Sequence, residues 1–321
     1  MARYEASSQV PMVRVKVAQG AIRHNLALLT VAPLWLIWSG VASSQELEPR
    51  SYVNLPVGLN FLVLGYGHTE GSVAPSPSAP IDNAFLKTDV LALGYARTFA
   101  LLGDSAKVDI GTFRSCYEGR ADINEQPVDV SRCEWGDTRM RLTWNFVGAP
   151  ALRPQEYRKT YKPGFTLGAS LQVEAPTGDY RSDRVVNAGT NRWMVRPGLG
   201  FSYIWEGWYF DVGADVKFFT DNSNYLGERL TQEPLFQLQA HLVRYFAPGA
   251  WFGINSNYYS GGESTRGRVD LKDGLDNARF GVTVSFPVAQ NHSLRFNAST
   301  GVVTRLGTDF DTLGITYQYR F

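Results

Sequence analysis

The chain has 321 residues, with 31 Lys and Arg against 30 Asp and Glu and a formal net charge of +1. That near balance excludes the basic footprint on which nucleic-acid binding depends. Charged residues are only 19% of the chain, aromatics reach 13% and there are 31 glycines. Soluble domains carry about 25% charged residues, whereas a membrane β-barrel needs few charges, many interfacial aromatics and many turn glycines.

Residues 1–44 read as an export signal. Arg14, Lys16 and Arg23 form a basic n-region, Leu26 to Val41 form an apolar stretch, and Gly40, Ala42, Ser43 and Ser44 supply small residues for cleavage. Cleavage after Ala42 and after Ser44 fit equally well, and Met12 serves as a start as well as Met1 does. The stretch is short for a spanning helix, which needs about 20 apolar residues. No later apolar run approaches that length. The remaining chain is therefore expected to be an exported soluble protein or a closed barrel, because only helices and closed barrels satisfy their backbone within lipid.

Residues 45–321 form a succession of alternating segments, expected at 57–67, 87–101, 104–115, 134–146, 164–175, 192–205, 207–219, 232–246, 250–260, 275–288, 291–303 and 310–321. The last is the clearest. Leu313, Ile315, Tyr317, Tyr319 and Phe321 alternate with Gly314, Thr316, Gln318 and Arg320, the period-two pattern of a strand with one apolar face. Phe280, Val282, Val284 and Phe286 do the same, as do Trp208, Phe210, Val212, Ala214, Val216 and Phe218 against Asp211, Asp215 and Lys217. Most segments are longer than the about 5–6 residues of soluble strands and meet the about 9–11 needed to cross a membrane. Tight turns at Leu102-Gly103, Glu206, Pro248-Gly249 and Ala289-Gln290 alternate with long links at 68–86, 116–133, 176–191, 220–231 and 261–274. Short turns at one end and long loops at the other are the layout of an outer-membrane barrel. The link 147–163 departs from it, being long on the short-turn side. The fold class expected is all-β, a single up-and-down antiparallel transmembrane barrel of about twelve strands over 45–321.

Cys116 and Cys133 fall in one link, and in an oxidising exported compartment they are expected to pair. No His or further Cys lies near enough in sequence to suggest a metal site, and no cofactor motif occurs.

Several stretches resemble a known family. They are Leu47-Glu48-Pro49-Arg50-Ser51-Tyr52, Pro56-Val57-Gly58-Leu59-Asn60-Phe61 and Leu64-Gly65-Tyr66-Gly67, then Val173-Glu174-Ala175-Pro176-Thr177-Gly178, Gly189-Thr190-Asn191-Arg192-Trp193, Phe218-Phe219-Thr220-Asp221-Asn222 and Phe310-Asp311-Thr312-Leu313-Gly314. Together they look like the outer-membrane transporter family named for the meta-pathway of phenol degradation. The resemblance implies a location in the outer membrane and passage of small molecules, and leaves the cargo open.

Charge facing lipid near the midplane costs about 2–4 kcal/mol for Arg or Lys, so the charged positions of the strands are assigned to the lumen. They are Arg139, Arg141, Gln172, Glu174, Arg196, Asp211, Asp215, Lys217, Gln237, Gln239, His241 and Arg295. Such a set either lines a polar conduit or pairs internally to fill the barrel. Trp193, Trp205, Trp208, Trp251, Tyr258 and Tyr259 sit near strand ends and read as interfacial girdle. Tyr317, Tyr319 and Phe321 resemble the C-terminal signal read by the outer-membrane assembly machinery. The expected partners are outer-membrane lipid, that machinery and a small solute. The leading function is a passive channel for small, aromatic or hydrophobic, molecules. The alternative is a non-transporting structural or adhesion barrel with a filled lumen. An enzyme is a third reading with little behind it, since only His68, His241 and His292 follow the signal and no Gly-x-Ser-x-Gly elbow occurs.

Overall fold

The computed structural model describes residues 49–74, 81–123, 126–184, 186–303 and 307–321. The export signal expected over 1–44 lies outside the described residues. The strands are β1 (Asn60–Ala74), β2 (Ile81–Leu101), β3 (Asp104–Ile123), β4 (Gln126–Trp135), β5 (Thr138–Val147), β6 (Phe165–Ala175), β7 (Met194–Trp205), β8 (Trp208–Phe219), β9 (Asn222–Tyr225), β10 (Glu228–Gln232), β11 (Leu235–Ala247), β12 (Ala250–Gly261), β13 (Ser264–Arg266), β14 (Val269–Asp270), β15 (Leu275–Ala289), β16 (His292–Val303) and β17 (Gly307–Arg320). Among the described residues there is one short helix, α1 (Pro154–Thr160), between β5 and β6.

Pairing runs β1-β2-β3-β5-β6-β7-β8-β11-β12-β15-β16-β17 and returns to β1. Each neighbouring pair is antiparallel, and the return through Phe61↔Arg320 to Ala74↔Gly307 closes the ring. β4 and β5 occupy one position beside β3, the first against Arg114–Ile123 and the second against Ala106–Gly111, with a break at Gly136 and Asp137. The result is a twelve-stranded closed transmembrane barrel. All twelve expected segments correspond to its strands.

The ends of the segments differ from the expectation. The first strand begins at Asn60, after a turn at Gly58 with φ +84. The links 68–86 and 116–133 are largely strand, because β1 to β4 continue well past the apolar region. β2 alone runs 21 residues, about 70 Å at ~3.3 Å per residue, against an apolar band ~25 Å tall. Beyond lipid neither face of a strand needs to be apolar. The hydropathy alternation fades there while the backbone ladder goes on. Links 220–231 and 261–274 likewise carry β9, β10, β13 and β14, which pair into a separate four-stranded sheet. In the link 147–163, α1 starts with Pro154 in its first turn, and the Arg153 N–H donates to the Glu156 carboxylate at 3.2 Å.

The two faces divide as the alternation requires. Leu64, Leu93, Met140, Leu171, Leu199, Phe218, Leu238, Ile254, Phe280, Phe296 and Leu313 point out and are exposed, Leu199 and Leu313 by 61% and 62%. A continuous apolar surface of this extent is a lipid surface. Trp193, Trp205, Trp208 and Tyr258 also point out, as the girdle reading expects. Trp251 and Tyr259 do not: they are buried in the interior at 1% and 0% exposure. Their parity on β12 is that of Asn255 and Asn257, so the proximity to a strand end was the wrong guide. Two-residue turns close the short end, with positive φ at Leu102-Gly103 and Glu206-Gly207. These are the mirror-image turns that match strand twist.

Cys116 and Cys133 stand directly opposite in the β3–β4 ladder and form a disulfide. The bond clasps the long hairpin where no lipid supports it. Closing a loop of this size stabilises by about 3 kcal/mol in the chain-entropy description. Replacing both cysteines with serine should leave the barrel heat-modifiable on gels but speed tryptic cleavage at Arg120 and Arg132. Equal cleavage rates with and without the bond would show that the ladder alone holds the hairpin.

Candidate functional site

The interior is polar and charged. Ten of the twelve assigned lumen residues, Arg141, Gln172, Arg196, Asp211, Asp215, Lys217, Gln237, Gln239, His241 and Arg295, are buried, and Arg139 and Glu174 are half-buried on the same inward face. One group forms a network across β6, β7, β8 and β11. Arg196 Nη2 donates to Gln172 Oε1 at 2.6 Å and Nη1 to Gln237 Oε1 at 3.3 Å, while Nε faces Asp215 Oδ1 at 3.9 Å. Gln172 Nε2 then donates to Glu174 Oε1 at 2.9 Å. On the opposite side of Gly213, His241 Nε2 lies 3.9 Å from Asp211 Oδ1, and His241 Nδ1 is 2.9 Å from Asn255 Oδ1. Asn255 Nδ2 in turn donates to Thr283 Oγ1 at 2.9 Å. Arg141 reaches Ser170 Oγ at 3.3 Å. Arg295 is set apart from both groups.

The chain before β1 enters this interior from the short-turn end. Arg50 to Leu55 are all buried, Arg50 and Asn54 completely. A backbone inside a lumen must find partners for its polar groups, and five consecutive carbonyls do so on side chains of the wall and of α1. Ser202 Oγ donates to Tyr52 O at 3.2 Å, Asn145 Nδ2 to Val53 O at 3.3 Å and Tyr157 OH to Asn54 O at 3.0 Å. Ser105 Oγ donates to Leu55 O at 3.0 Å and Thr98 Oγ1 to Pro56 O at 2.7 Å. The Arg50 N–H donates to Asp211 Oδ2 at 2.8 Å, the same oxygen that accepts from Tyr209 OH at 2.7 Å. The Arg50 guanidinium lies over the rings of Tyr209, Tyr245 and Trp251, 5.4–5.9 Å from their centroids, within cation–π range. Val53 and Leu55 pack with Phe61, Ala96, Tyr209, Val243 and Trp251 into a small apolar core inside the barrel.

The wall is shaped for this segment. Gly168, Gly200 and Gly213 stand side by side in register on β6, β7 and β8. The Tyr52 ring lies on them: a Cβ added at Gly200 would meet it at 2.2 Å and one at Gly168 at 2.8 Å. Only glycine allows that approach.

At the long-loop end, two carboxylates on the β4–β5 strand pin the link 176–193. Asp137 accepts from the N–H groups of Gly178 and Thr190 at 2.9 and 2.8 Å and from Thr190 Oγ1 at 2.6 Å. Glu134 accepts from the Ala188 N–H at 3.1 Å and pairs with Arg132 and Arg184. At the C-terminus, Tyr317 OH bonds His292 Nδ1 at 2.6 Å, and Tyr319 stacks between His292 and Phe321 on the outer face.

Several interior residues escaped the sequence reading. Arg279, Asn255 and Asn257 share the parity of assigned neighbours, so the alternation of their own strands could have found them. Lys107, which pairs with Asp109 at 3.3 Å, lies on β3, where alternation is weakest. Nothing in the local pattern marks Arg50 or Tyr52 as interior. Among the described residues no cluster of His, Cys, Asp or Glu could hold a metal, and no helix is long and apolar enough to cross a membrane.

A closed barrel with a charged interior and its own N-terminal segment drawn inside defines the class: a transmembrane outer-membrane-type β-barrel. The family model described as "Putative MetA-pathway of phenol degradation" matches residues 88–321, and the chain belongs to that family. The match begins within β2, so the N-terminal segment and β1 lie outside it. No curated protein matches the chain. Among solved structures, the COG4313 outer membrane channel from Pseudomonas putida F1 is similar, with a TM-score of 0.67 and 22% identity over 86% of this chain and 100% of that one. The Ralstonia pickettii toluene transporter TbuX is similar at a TM-score of 0.45 and 10% identity, over 83% of this chain and 90% of that one.

The glycine row makes a specific prediction. Gly200→Ala should displace Tyr52 while leaving the barrel intact. Tyr52 and its neighbours would then become accessible to protease from the short-turn end, several-fold faster than in the parent. Unchanged protection with unchanged heat-modifiability would mean the segment does not depend on this seat.

Proposed function

We propose that the protein is a bacterial outer-membrane channel, exported with loss of residues 1–44, that passes small aromatic or hydrophobic molecules passively through its polar lumen. In this reading the N-terminal segment closes the periplasmic end at rest. The observation that carries it is how the segment is held. Its backbone makes no strand pairing with the wall; its carbonyls rest on side chains one by one. Each such hydrogen bond contributes about 0.5–1.5 kcal/mol net, whereas the twelve positions of the wall are joined to one another by continuous backbone ladders. The segment can therefore leave its seat while the barrel stays closed. Membership of a family named for phenol degradation supports an aromatic cargo, and the channel from Pseudomonas putida F1 shares the fold.

The filled periplasmic half also favours the second reading, a structural barrel that passes nothing. Planar-bilayer recording separates the two. The parent should show small or infrequent openings, and a variant lacking residues 49–56 should conduct several-fold more. Asp215→Asn should shift the reversal potential of that open form toward anions. A folded barrel silent in both forms would establish the structural reading.

The outward stripe of Tyr317, Tyr319 and Phe321 is proposed as the signal for the assembly machinery. Phe321→Ala should lower the amount of barrel reaching the outer membrane several-fold while the same chain refolds normally in detergent. Equal membrane amounts would remove that role from Phe321.

A further inference from the structure

The lipid face is not evenly covered. Across five neighbouring strands, β12, β15, β16, β17 and β1, it carries an almost wholly apolar groove of about 560 Å³, a volume within the ~300–1,000 Å³ of ordinary ligand sites. One bank is a single register row of large side chains, Phe252, Val284, Phe296, Ile315 and Tyr66. The other bank is the next outward row, Val282, Ala298, Leu313 and His68. Thr283, Asn297 and Gly314 form the floor between the banks. Two features keep the groove open. Ala298 brings only a methyl group between Val282 and Leu313. The Phe296 ring stacks on Phe286 with centroids 5.9 Å apart, so it leans toward the short-turn end and away from Ala298.

The groove climbs through the lipid belt. Phe252 is two residues from the first of β12, Ala250, whereas Tyr66 is six from the first of β1, Asn60. Four strand spacings of ~4.8 Å give a length of about 19 Å. Register rows run across strands that tilt about 35–45° from the barrel axis, so the groove rises roughly 11–13 Å. One leaflet is about 15 Å deep, half of the ~30 Å hydrocarbon core.

The two ends differ. At the upper end Tyr66 OH donates to Asp89 Oδ1 at 2.6 Å, and His68 Nδ1 lies 2.9 Å from the same oxygen. Beyond them Lys87 Nζ is 3.6 Å from Glu70 Oε2, and an ammonium has three donors to give. At the lower end the row of large side chains runs on to Arg244 on β11. That guanidinium is already engaged by Glu206 O and lies over the Trp208 ring. A polar head group therefore finds its partners at the upper end, on the side of the long loops, which is the extracellular side of such barrels.

We propose that the groove seats one acyl chain of lipid A, the acylated sugar phosphate of the extracellular leaflet, with its head group over Tyr66, His68 and Lys87. Lys87 donates to a phosphate, and the carboxylates of Asp89 and Glu70 accept from sugar hydroxyls. The inference goes beyond the channel reading and rests only on the place of the barrel in the outer membrane.

The test is native mass spectrometry of the purified barrel in mild detergent, titrated with hexa-acylated lipid A. One retained lipid A per chain is expected. Ala298→Trp fills the groove from the lipid side and should cut retention at least fivefold with unchanged heat-modifiability. Leu238→Trp, on the same lipid face but outside the groove, should retain lipid A as the parent does. Lys87→Ala should weaken retention several-fold. If Ala298→Trp fails to fold, Ala298→Leu decides, with a smaller loss in the same direction. A spread of adducts without a preferred stoichiometry, or equal retention in Ala298→Trp and Leu238→Trp, would overturn the seat. Stronger retention of phosphatidylethanolamine than of lipid A would overturn the choice of lipid.

Discussion

In a hydrocarbon slab there is no water to take up a stray backbone N–H or C=O, and each one left over costs several kcal/mol. The pairing of β1 with β17 meets that demand, because it removes the two edges that any open sheet would present. Everything else follows from the ring being closed. Side chains have only two directions to point, and the alternation sends leucines and phenylalanines to lipid and arginines, aspartates and glutamines inward. A charge on the wrong parity would sit in lipid, so register is set with little tolerance.

The interior then poses its own problem. Twelve strands enclose more room than side chains alone fill in an eight-stranded barrel and less than the open channel of a large porin. Here the short-turn half is occupied by the chain itself. The wall answers the segment group by group: hydroxyls and an amide for its carbonyls, Asp211 for the Arg50 N–H, an aromatic box for the guanidinium, and a flat glycine row for Tyr52. None of these contacts is shared with the ladder that closes the ring. The machinery that holds the barrel and the machinery that holds the segment are physically separate.

That separation also explains what could be read from the sequence. The twelve strands were legible because lipid on one side and water or polar groups on the other impose a period of two, and Phe280 or Trp208 reports it directly. The inward parity of charged residues was legible for the same reason, as at Asp211 and His241. Where lipid stops, the pattern stops, so the outer reaches of β2 and β3 read as loop although Glu118 and Lys87 are still paired. Arg50 and Tyr52 obey no period. Their place depends on glycines some 120 to 160 residues away, which share a register only once β6, β7 and β8 are paired. Trp251 was misplaced because an aromatic near a strand end suits the membrane interface and an internal core alike.

The turn at Gly58 has a consequence for the order of assembly. The described part of the segment joins β1 at the short-turn end and is anchored at its root, where the Gly58 N–H donates to Thr98 O and the Val57 N–H to Leu152 O. A chain held that way need not be threaded through a finished ring. It can fold in as a flap pivoting on Gly58, so the closing of the wall by β1 and β17 does not require the segment to be seated first.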